Sequence, residues 1–302
     1  MSANAKVVKR RIKSIANTMK ITKAMELVAA SKMRRATSAA TDTRPFAKLS
    51  WQTITSVGIY APNVSHPLLQ SNDEAEKVLL VLFTSDRGLA GGYNSNMVKK
   101  SIELLRENKE TPFDLISVGK KGDMALSKKK VNVIATFEGL TNKPVFGDIL
   151  PISKLILDGY MNGEYKKVVL GYTDYISGLE QKPRLLELLP FSTPDKKLGN
   201  VDKTTNGTNG NGKTEYTFEP NAQEVLNRTL PRLIETMLYQ ALLESTASEH
   251  SARMMAMRNA SDAANEMLEE LKFTYNRIRQ AGITQEIAEI STGKAALESM
   301  NN

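Results

Sequence analysis

Two hydrophobic rhythms divide this chain. Residues 1–60 and 220–302 repeat their apolar positions every three to four residues. Between about 75 and 192, short continuous apolar runs alternate with amphipathic stretches. The first rhythm predicts helices with one buried stripe, and the second predicts buried strands separated by helices. In the N-terminal segment Ile12, Ile15, Met19, Thr22, Glu26, Ala29, Met33, Ala36 and Ala40 form a sparse heptad seam, widened by Ile21, Met25 and Val28. In the C-terminal segment Leu226, Leu230, Leu233 and Met237 lead into smaller or polar seam positions at Gln240, Glu244, Ala247 and Ser251, then into Met254, Met255 and Met257. A seam of Ala, Ser and Met lets two helices pack closely without the interlocking of Leu.

Helix breakers are absent where these seams run. Residues 2–44 contain no Pro and no Gly, and from Arg232 onward only Gly282 and Gly293 interrupt. At about 1.5 Å per residue, the last ~70 residues span roughly 100 Å if unbroken. A middle segment of ~150 residues has a radius of gyration near 15 Å. The two ends are therefore expected to pair as a shaft that projects from a compact foot.

The middle segment predicts that foot. Lys77–Phe83 is a buried strand, followed by a glycine-rich turn and a helix from Ser95 to about Asn108. Strands follow at Phe113–Val118, Val131–Phe137 and Val168–Tyr172, separated by a short basic helix and by a helix around Gly147–Leu157. Lys182–Phe191 reads as an edge strand leaving the sheet. A β-α-β rhythm of this kind predicts a Rossmann-like, doubly wound and mostly parallel sheet. The expected organisation is a helix over 1–60, a foot over 75–192, a flexible polar loop over 193–219, and a second helix over 220–302.

Composition narrows the chemistry. The chain has no Cys, which excludes disulfides, thiolate catalysis and Cys-ligated zinc. His66 and His250 are its only histidines, too far apart in sequence to suggest a metal cluster. His66 is expected in an exposed turn and His250 on a helix surface. No apolar run reaches the ~18 residues of a membrane span. The net charge of +8 is uneven: residues 1–50 carry twelve Lys and Arg against Glu26 and Asp42, whereas residues 220–302 carry eight against eleven acidic residues. Residues 1–50 hold one aromatic besides no recognisable reading module, Phe46, which speaks against nucleic acid. The helical pattern runs through Ser31–Arg35 with no cleavage-like break, which speaks against a transit peptide. A basic face that slides past an acidic protein partner fits the pattern better.

Two glycine-rich segments invite a nucleotide. Gly207–Thr214 satisfies G-x-x-x-x-G-K-[ST], yet polar residues precede it where a P-loop needs a buried strand, and Glu215–Pro220 opens no helix. Low-complexity composition accounts for that match. Ser85–Asn94 follows the first strand, where doubly wound folds place ligands. Its spacing is not G-x-G-x-x-G, so a structural turn is expected, with Asp86 and Arg87 forming a local ion pair or touching another subunit. No acid–base dyad or activated nucleophile emerges, and no cofactor is implied.

Three stretches together resemble the γ subunit of F-type ATP synthases of the bacterial type: Lys20–Arg34, the Ser85–Asn94 turn, and Glu249–Met257 running on to Tyr275–Ile290. The match covers essentially the whole chain in order. Lys294 departs from the small residue that usually follows the glycine in this family, and the 194–214 segment lacks the cysteine pair of redox-regulated chloroplast forms.

The resemblance implies an antiparallel coiled coil of the termini, inserted into a ring of alternating α and β subunits. It implies a foot on the ε subunit and the membrane c-ring, and a single copy in a hetero-oligomer. The location implied is peripheral, at the cytoplasmic face of the bacterial plasma membrane. Proton or sodium flow would turn the foot, and the shaft would drive the catalytic β subunits. Met25 with Lys20, Lys23 and Lys32 would face the acidic lever of β. Arg279, Gln280, Thr284 and Glu286 would form the catch that bonds a β-subunit loop. The alternative is a nucleotide-binding P-loop protein with coiled-coil arms.

Overall fold

The computed structural model describes residues 3–60, 66–129, 131–191 and 221–300. In chain order these form α1 (Ala3–Tyr60), β1 (Lys77–Phe83), α2 (Tyr93–Glu107), β2 (Phe113–Val118), α3 (Lys120–Leu126), β3 (Asn132–Phe137), α4 (Leu150–Met161), β4 (Tyr165–Tyr175), β5 (Gln181–Leu189) and α5 (Ala222–Met300), with short 3-10 turns between. The Gly207–Thr214 match and the whole of the 193–219 segment lie outside the described residues.

The sheet runs β3-β2-β1-β4-β5. Its first four strands are parallel, and β5 returns antiparallel along β4. The edge strand expected at 182–191 is β5, at the sheet's outer edge, and it stays paired with β4 along its length instead of leaving the sheet. Central β1 is buried on both faces, which is why it reads as an uninterrupted apolar run. Leu79, Val81 and Phe83 face one core, and Val78, Leu80 and Leu82 the other. Edge strand β3 alternates exposed and half-buried positions. Met97 of α2 and Leu126 of α3 cover one face of the sheet.

The other face is covered by α4, through Ile152, Ile156 and Tyr160, and by the first part of α5. Leu226, Leu230, Leu233, Ile234, Met237, Leu238 and Leu242 of α5 are buried in that core. The sequence reading placed the first of these on a coiled-coil seam. They are the apolar stripe of a sheet-packing helix, because the same 3-4 spacing serves either partner. Accordingly the compact unit built on the sheet takes in Ala29–Arg253, and a second unit joins residues 1–28 with 254–302. That division falls inside both long helices, not at residues 60 and 220.

Both helices carry an internal proline, Pro45 in α1 and Pro231 in α5. Near Pro45 the carbonyls find other donors: Thr43 Oγ1 donates to Ala39 O at 2.9 Å, and Gln240 Nε2 donates to Ala40 O at 3.1 Å. The carbonyl that Pro45 deprives of a donor is that of Thr41, so these bonds brace the preceding turn and do not replace the lost one.

Within the unit of residues 1–28 and 254–302, α1 turns Ala5, Val8, Ile12, Ile15, Met19, Thr22 and Glu26 inward, at alternating steps of three and four. On α5 the covered positions include Met257, Ser261, Ala264, Leu268, Leu271, Tyr275, Ile278 and Gly282, with the same steps. The helices pair as an antiparallel coiled coil, in which Thr22 Oγ1 and Ser261 Oγ lie 2.7 Å apart. The strip predicted at Ile21, Met25 and Val28 is not part of this seam: Ile21 and Val28 are exposed and Met25 is half-buried.

Candidate functional site

Antiparallel pairing fixes how far α1 can cover α5. Ala3, the first residue of α1, lies nineteen positions before Thr22, and Gln280 lies nineteen positions after Ser261. Beyond Gln280, α5 has outrun its partner among the described residues. Every residue from Ile283 to Lys294 is exposed, with Ile283 at 43%, Ile287 at 62% and Ile290 at 73%. Ile283 and Ile287 were expected to serve the packing face. They do not, because among the described residues no other helix covers that stretch of α5, and only Ile278 packs.

Arg279, Gln280, Thr284 and Glu286 are all exposed on this stretch of α5. At 100° per residue both Ile283 and Ile287 fall between Arg279 and Gln280 in angle, with Thr284 just beyond Gln280. The polar candidates and the bare isoleucines therefore share one broad surface turned away from the seam. On α1, Lys20 and Lys23 are exposed and Met25 is half-buried beside exposed Ile21, Leu27 and Val28. Lys23 Nζ bonds Glu26 at 2.9 Å. Lys32 belongs to the sheet unit, where its Nζ donates to Asn142 Oδ1 at 3.2 Å.

The second candidate place is the crevice at the carboxyl ends of β1 and β4, where the strand order reverses. Doubly wound sheets bind ligands there. Here the Ser85–Asn94 turn is closed on itself. Asn94 Oδ1 accepts from Ser85 N at 3.0 Å, and Ser85 Oγ donates to Arg87 O at 2.6 Å. Asp86 accepts from the backbone N–H of Lys120 at 3.3 Å and of Gly139 at 2.9 Å, so it ties neighbouring loops and does not pair with Arg87. Gly119 on the adjoining turn has φ +97°, and a Cβ there would stand 2.3 Å from Thr84 O. Only glycine fits that approach.

The crevice is occupied by α5 itself. From Gln240 to Ser251 every residue of α5 is buried, though eight of those twelve are polar. Glu244 Oε1 accepts from Arg44 Nε at 3.1 Å and from Gln240 Nε2 at 3.0 Å. Asp174, fully buried on β4, is paired with Arg184 at 2.8 Å. Burial, and then the neighbouring Glu244, push the Asp174 carboxyl up to about 7. Glu244 is held below its ordinary value despite its own burial, by Asp174 and by the Arg44 guanidinium and the Gln240 amide.

Arg253 closes the arrangement. It bonds Glu249 at 2.7 Å, lies 3.2 Å from His250 Nδ1, and reaches the Arg87 and Gly88 carbonyls at 3.4 Å. His250 is buried, not on a helix surface. Burial, with the charges of Arg253 and Lys32, lowers it to about 4, so it is neutral at physiological pH. His66 is buried too, and its Nδ1 accepts from Leu68 N at 3.1 Å to cap a 3-10 turn. The sequence missed both because a polar residue among polar neighbours gives no sign of burial.

Among the described residues no three His, Cys, Asp or Glu gather closely enough to hold a metal ion. An open depression of about 480 Å³ lies at the opposite, amino ends of β1 and β4. It mixes Asp73, Glu76 and Glu110 with Lys166 and Lys167, which gives it no marked preference for phosphate.

Comparison with known proteins covers nearly the whole chain. The family model for ATP synthase matches residues 4–297. An ATP synthase gamma chain from Herpetosiphon aurantiacus is 42% identical over 307 aligned residues, covering 98% of this chain and 99% of that protein. One from Pelotomaculum thermopropionicum is 41% identical over 290, covering 96% and 98%. Among solved structures, the central stalk and c-ring of the Tetrahymena thermophila mitochondrial ATP synthase contains a chain 28% identical, with TM-score 0.61, covering 80% of this chain and 99% of that one. A chain of the Euglena gracilis mitochondrial ATP synthase shares the fold at 18% identity, with TM-score 0.66, covering 99% and 96%.

Proposed function

The chain belongs to the ATP synthase γ-chain family and is a non-catalytic subunit, the rotor shaft of such an enzyme; we propose that its uncovered helix surfaces are what engages the catalytic ring. In this reading Arg279, Gln280, Thr284 and Glu286 form a catch for a loop of the β subunit. Lys20, Lys23, Met25 and Lys32 face an acidic lever of the same subunit. The remaining partners are α subunits, an ε subunit and a membrane c-ring, with one copy of this chain per complex. The complex sits at the cytoplasmic face of a bacterial plasma membrane, where ion flow drives rotation. A P-loop protein with coiled-coil arms is not favoured.

One observation carries the proposal: α5 outruns α1 and leaves Ile283, Ile287 and Ile290 bare among the polar catch residues. An apolar face of this kind in water is normally covered by another protein. The basic strip on α1 suits a contact that must slide. Charge attraction acts over several ångströms and needs no interlocking side chains, so a partner is held at many angles without being fixed at one.

Replacing Arg279, Gln280 and Thr284 together with Ala in the assembled enzyme is the test. Steady-state ATP synthesis should fall at least about tenfold, equivalent to about 1.4 kcal/mol of a barrier. The melting of the isolated chain should shift little, because exposed truncations cost under about 0.5 kcal/mol. A triple variant that assembles and makes ATP at the parent rate would show that the catch lies elsewhere.

A further inference from the structure

Strand β4 is longer than its neighbour at the carboxyl end of the sheet. Pairing of β4 with β1 ends at Leu82 and Gly171, whereas β4 continues to Tyr175. Alternate residues of a strand aim their backbone groups at the same neighbour. Beyond Gly171, the groups of Thr173 and Tyr175 that face β1 therefore meet no strand.

Side chains of α5 meet them instead. Thr173 N donates to Ser245 Oγ at 3.2 Å, Ser248 Oγ donates to Thr173 O at 3.1 Å, and Tyr175 N donates to Glu244 Oε2 at 3.2 Å. One turn further on, Ser251 Oγ donates to Gly178 O at 2.7 Å in the β4–β5 connection and accepts from Gln181 Nε2 at 3.3 Å. Positions 244, 245, 248 and 251 repeat at three and four residues, so they share one face of the helix. Glu244, Ser245 and Ser248 thus take the place of the strand that β4 lacks, and Ser251 extends the same face to the β4–β5 connection.

We propose that Ser245, Ser248 and Ser251, with Glu244, are positioning residues that key α5 in rotation and axial register to β4 and the β4–β5 connection. In this way a turning force on the sheet is passed to the helix. The inference rests on the rotor-shaft reading above. Its physical ground is a difference between two kinds of contact on the same helix. Leu226–Leu242 hold α5 to the sheet by apolar burial, which is strong but non-directional. Hydrogen bonds weaken steeply as donor and acceptor lose alignment, so the serine row resists a small rotation that apolar packing would absorb. The row is buried, and bulk water does not replace a bond broken there.

The test uses the complete enzyme in vesicles and reads ions pumped per ATP hydrolysed. In the Ser245→Ala/Ser248→Ala variant, hydrolysis should stay within about twofold of the parent. Ions pumped per ATP against an opposing gradient should fall about threefold or more, on the scale of one net hydrogen bond. The chain has no native cysteine, so a replacement link can be placed cleanly. Gly178→Cys and Ser251→Cys join positions already bonded, and a Cβ at 178 has open space.

Added to the double-alanine variant, this pair should leave coupling low when reduced and restore it when oxidised. A merely structural role would not give that redox-dependent recovery. Coupling equal to the parent's in the reduced protein overturns the proposal, and so does a disulfide that forms without restoring coupling. Two thiols that fail to join in the folded enzyme contradict the geometry and overturn it as well. If the parent chain itself fails to support coupled turnover with its partners, the rotor-shaft reading falls rather than the role of the serine row.

Discussion

Two twelve-residue windows of α5 differ in everything but composition. From Gln240 to Ser251 every residue is buried, and from Ile283 to Lys294 every residue is exposed. Each window contains four apolar residues: Ala241, Leu242, Leu243 and Ala247 in the first, and Ile283, Ile287, Ala288 and Ile290 in the second. Hydrophobic content does not separate them. The sheet supplies the first window with partners: β4 offers unpaired backbone groups to its serines, and Arg44 meets Glu244. The second window lies past the described start of α1, so among the described residues its apolar side chains have no partner to pack against. Buried polar groups are tolerated where each finds a partner, and bare apolar groups persist where a partner arrives from another protein.

The difference breaks most sharply under truncation. Leu242→Ala, in the fully covered window, should destabilise the isolated chain by about 2–5 kcal/mol, the range for a buried leucine that leaves a cavity. Ile287→Ala should cost under about 0.5 kcal/mol in the same chemical denaturation experiment. In the assembled enzyme the order of interest reverses if, as proposed, Ile287 lies on the face that a partner covers. Equal losses of stability from both changes would mean that the tip is covered within the chain after all.

A smaller effect sharpens the account of the buried window. Asp174 is raised from an ordinary value near 3.8 to about 7, first by burial and then by Glu244, with Arg184 and Arg44 opposing. A carboxyl with a raised folded-state value contributes stability that is complete below about 3.8 and is lost as pH rises through 7. Glu244 is lowered and acts in the opposite sense, losing its contribution as pH falls through its depressed value. Asp174→Asn removes the first dependence, while Arg44 and Gln240 still hold Glu244 low and preserve the second in part. Its stability should therefore decline less than the parent's between pH 4 and 7, as read by urea midpoints across that interval. A parent profile no steeper than the variant's would show that Asp174 is ionised throughout.

Much of the architecture was legible because it rests on local pattern. Lys77–Phe83 read as a buried strand, since an uninterrupted apolar run of that length calls for cover on both faces, and the structure makes it the central one. The heptad seam from Ile12 to Ala40 was legible for the same reason, as each of its positions is covered. What sequence could not tell was which partner a seam serves. Leu226, Leu230 and Leu233 fit a coiled coil and a sheet-packing helix equally well, and only the position of the sheet decides. Glu244 and Ser251 read as soft seam positions, and Ser245 and Ser248 went unmarked, because the backbone groups these four side chains satisfy belong to residues some seventy positions away. Arg279, Gln280, Thr284 and Glu286 entered through family resemblance. Their periodicity placed them on the helix, but nothing in it marked the point where α1 stops covering α5.

The smallest effect is expected at the segment that most invites a nucleotide. Lys213→Ala removes the side chain on which a phosphate-binding reading of Gly207–Thr214 depends. The match lies outside the described residues, so the expectation stands on sequence and on the sheet. Asp202–Asn206 before it are all polar, whereas a phosphate-binding turn has to be launched from a buried strand that fixes its backbone N–H groups. At the place where this sheet could present a ligand, α5 already fills the crevice with Glu244, Ser245 and Ser248. ATP synthesis by the assembled Lys213→Ala enzyme should therefore stay within about twofold of the parent, under the ~0.5 kcal/mol typical of surface changes. Deleting residues 203–214 should do little more, because polar connecting segments tolerate changes in length. Equilibrium nucleotide binding to the isolated chain, measured alongside, settles the matter. Binding that disappears in Lys213→Ala would make the segment a nucleotide site and give this chain chemistry that a mechanical shaft does not need.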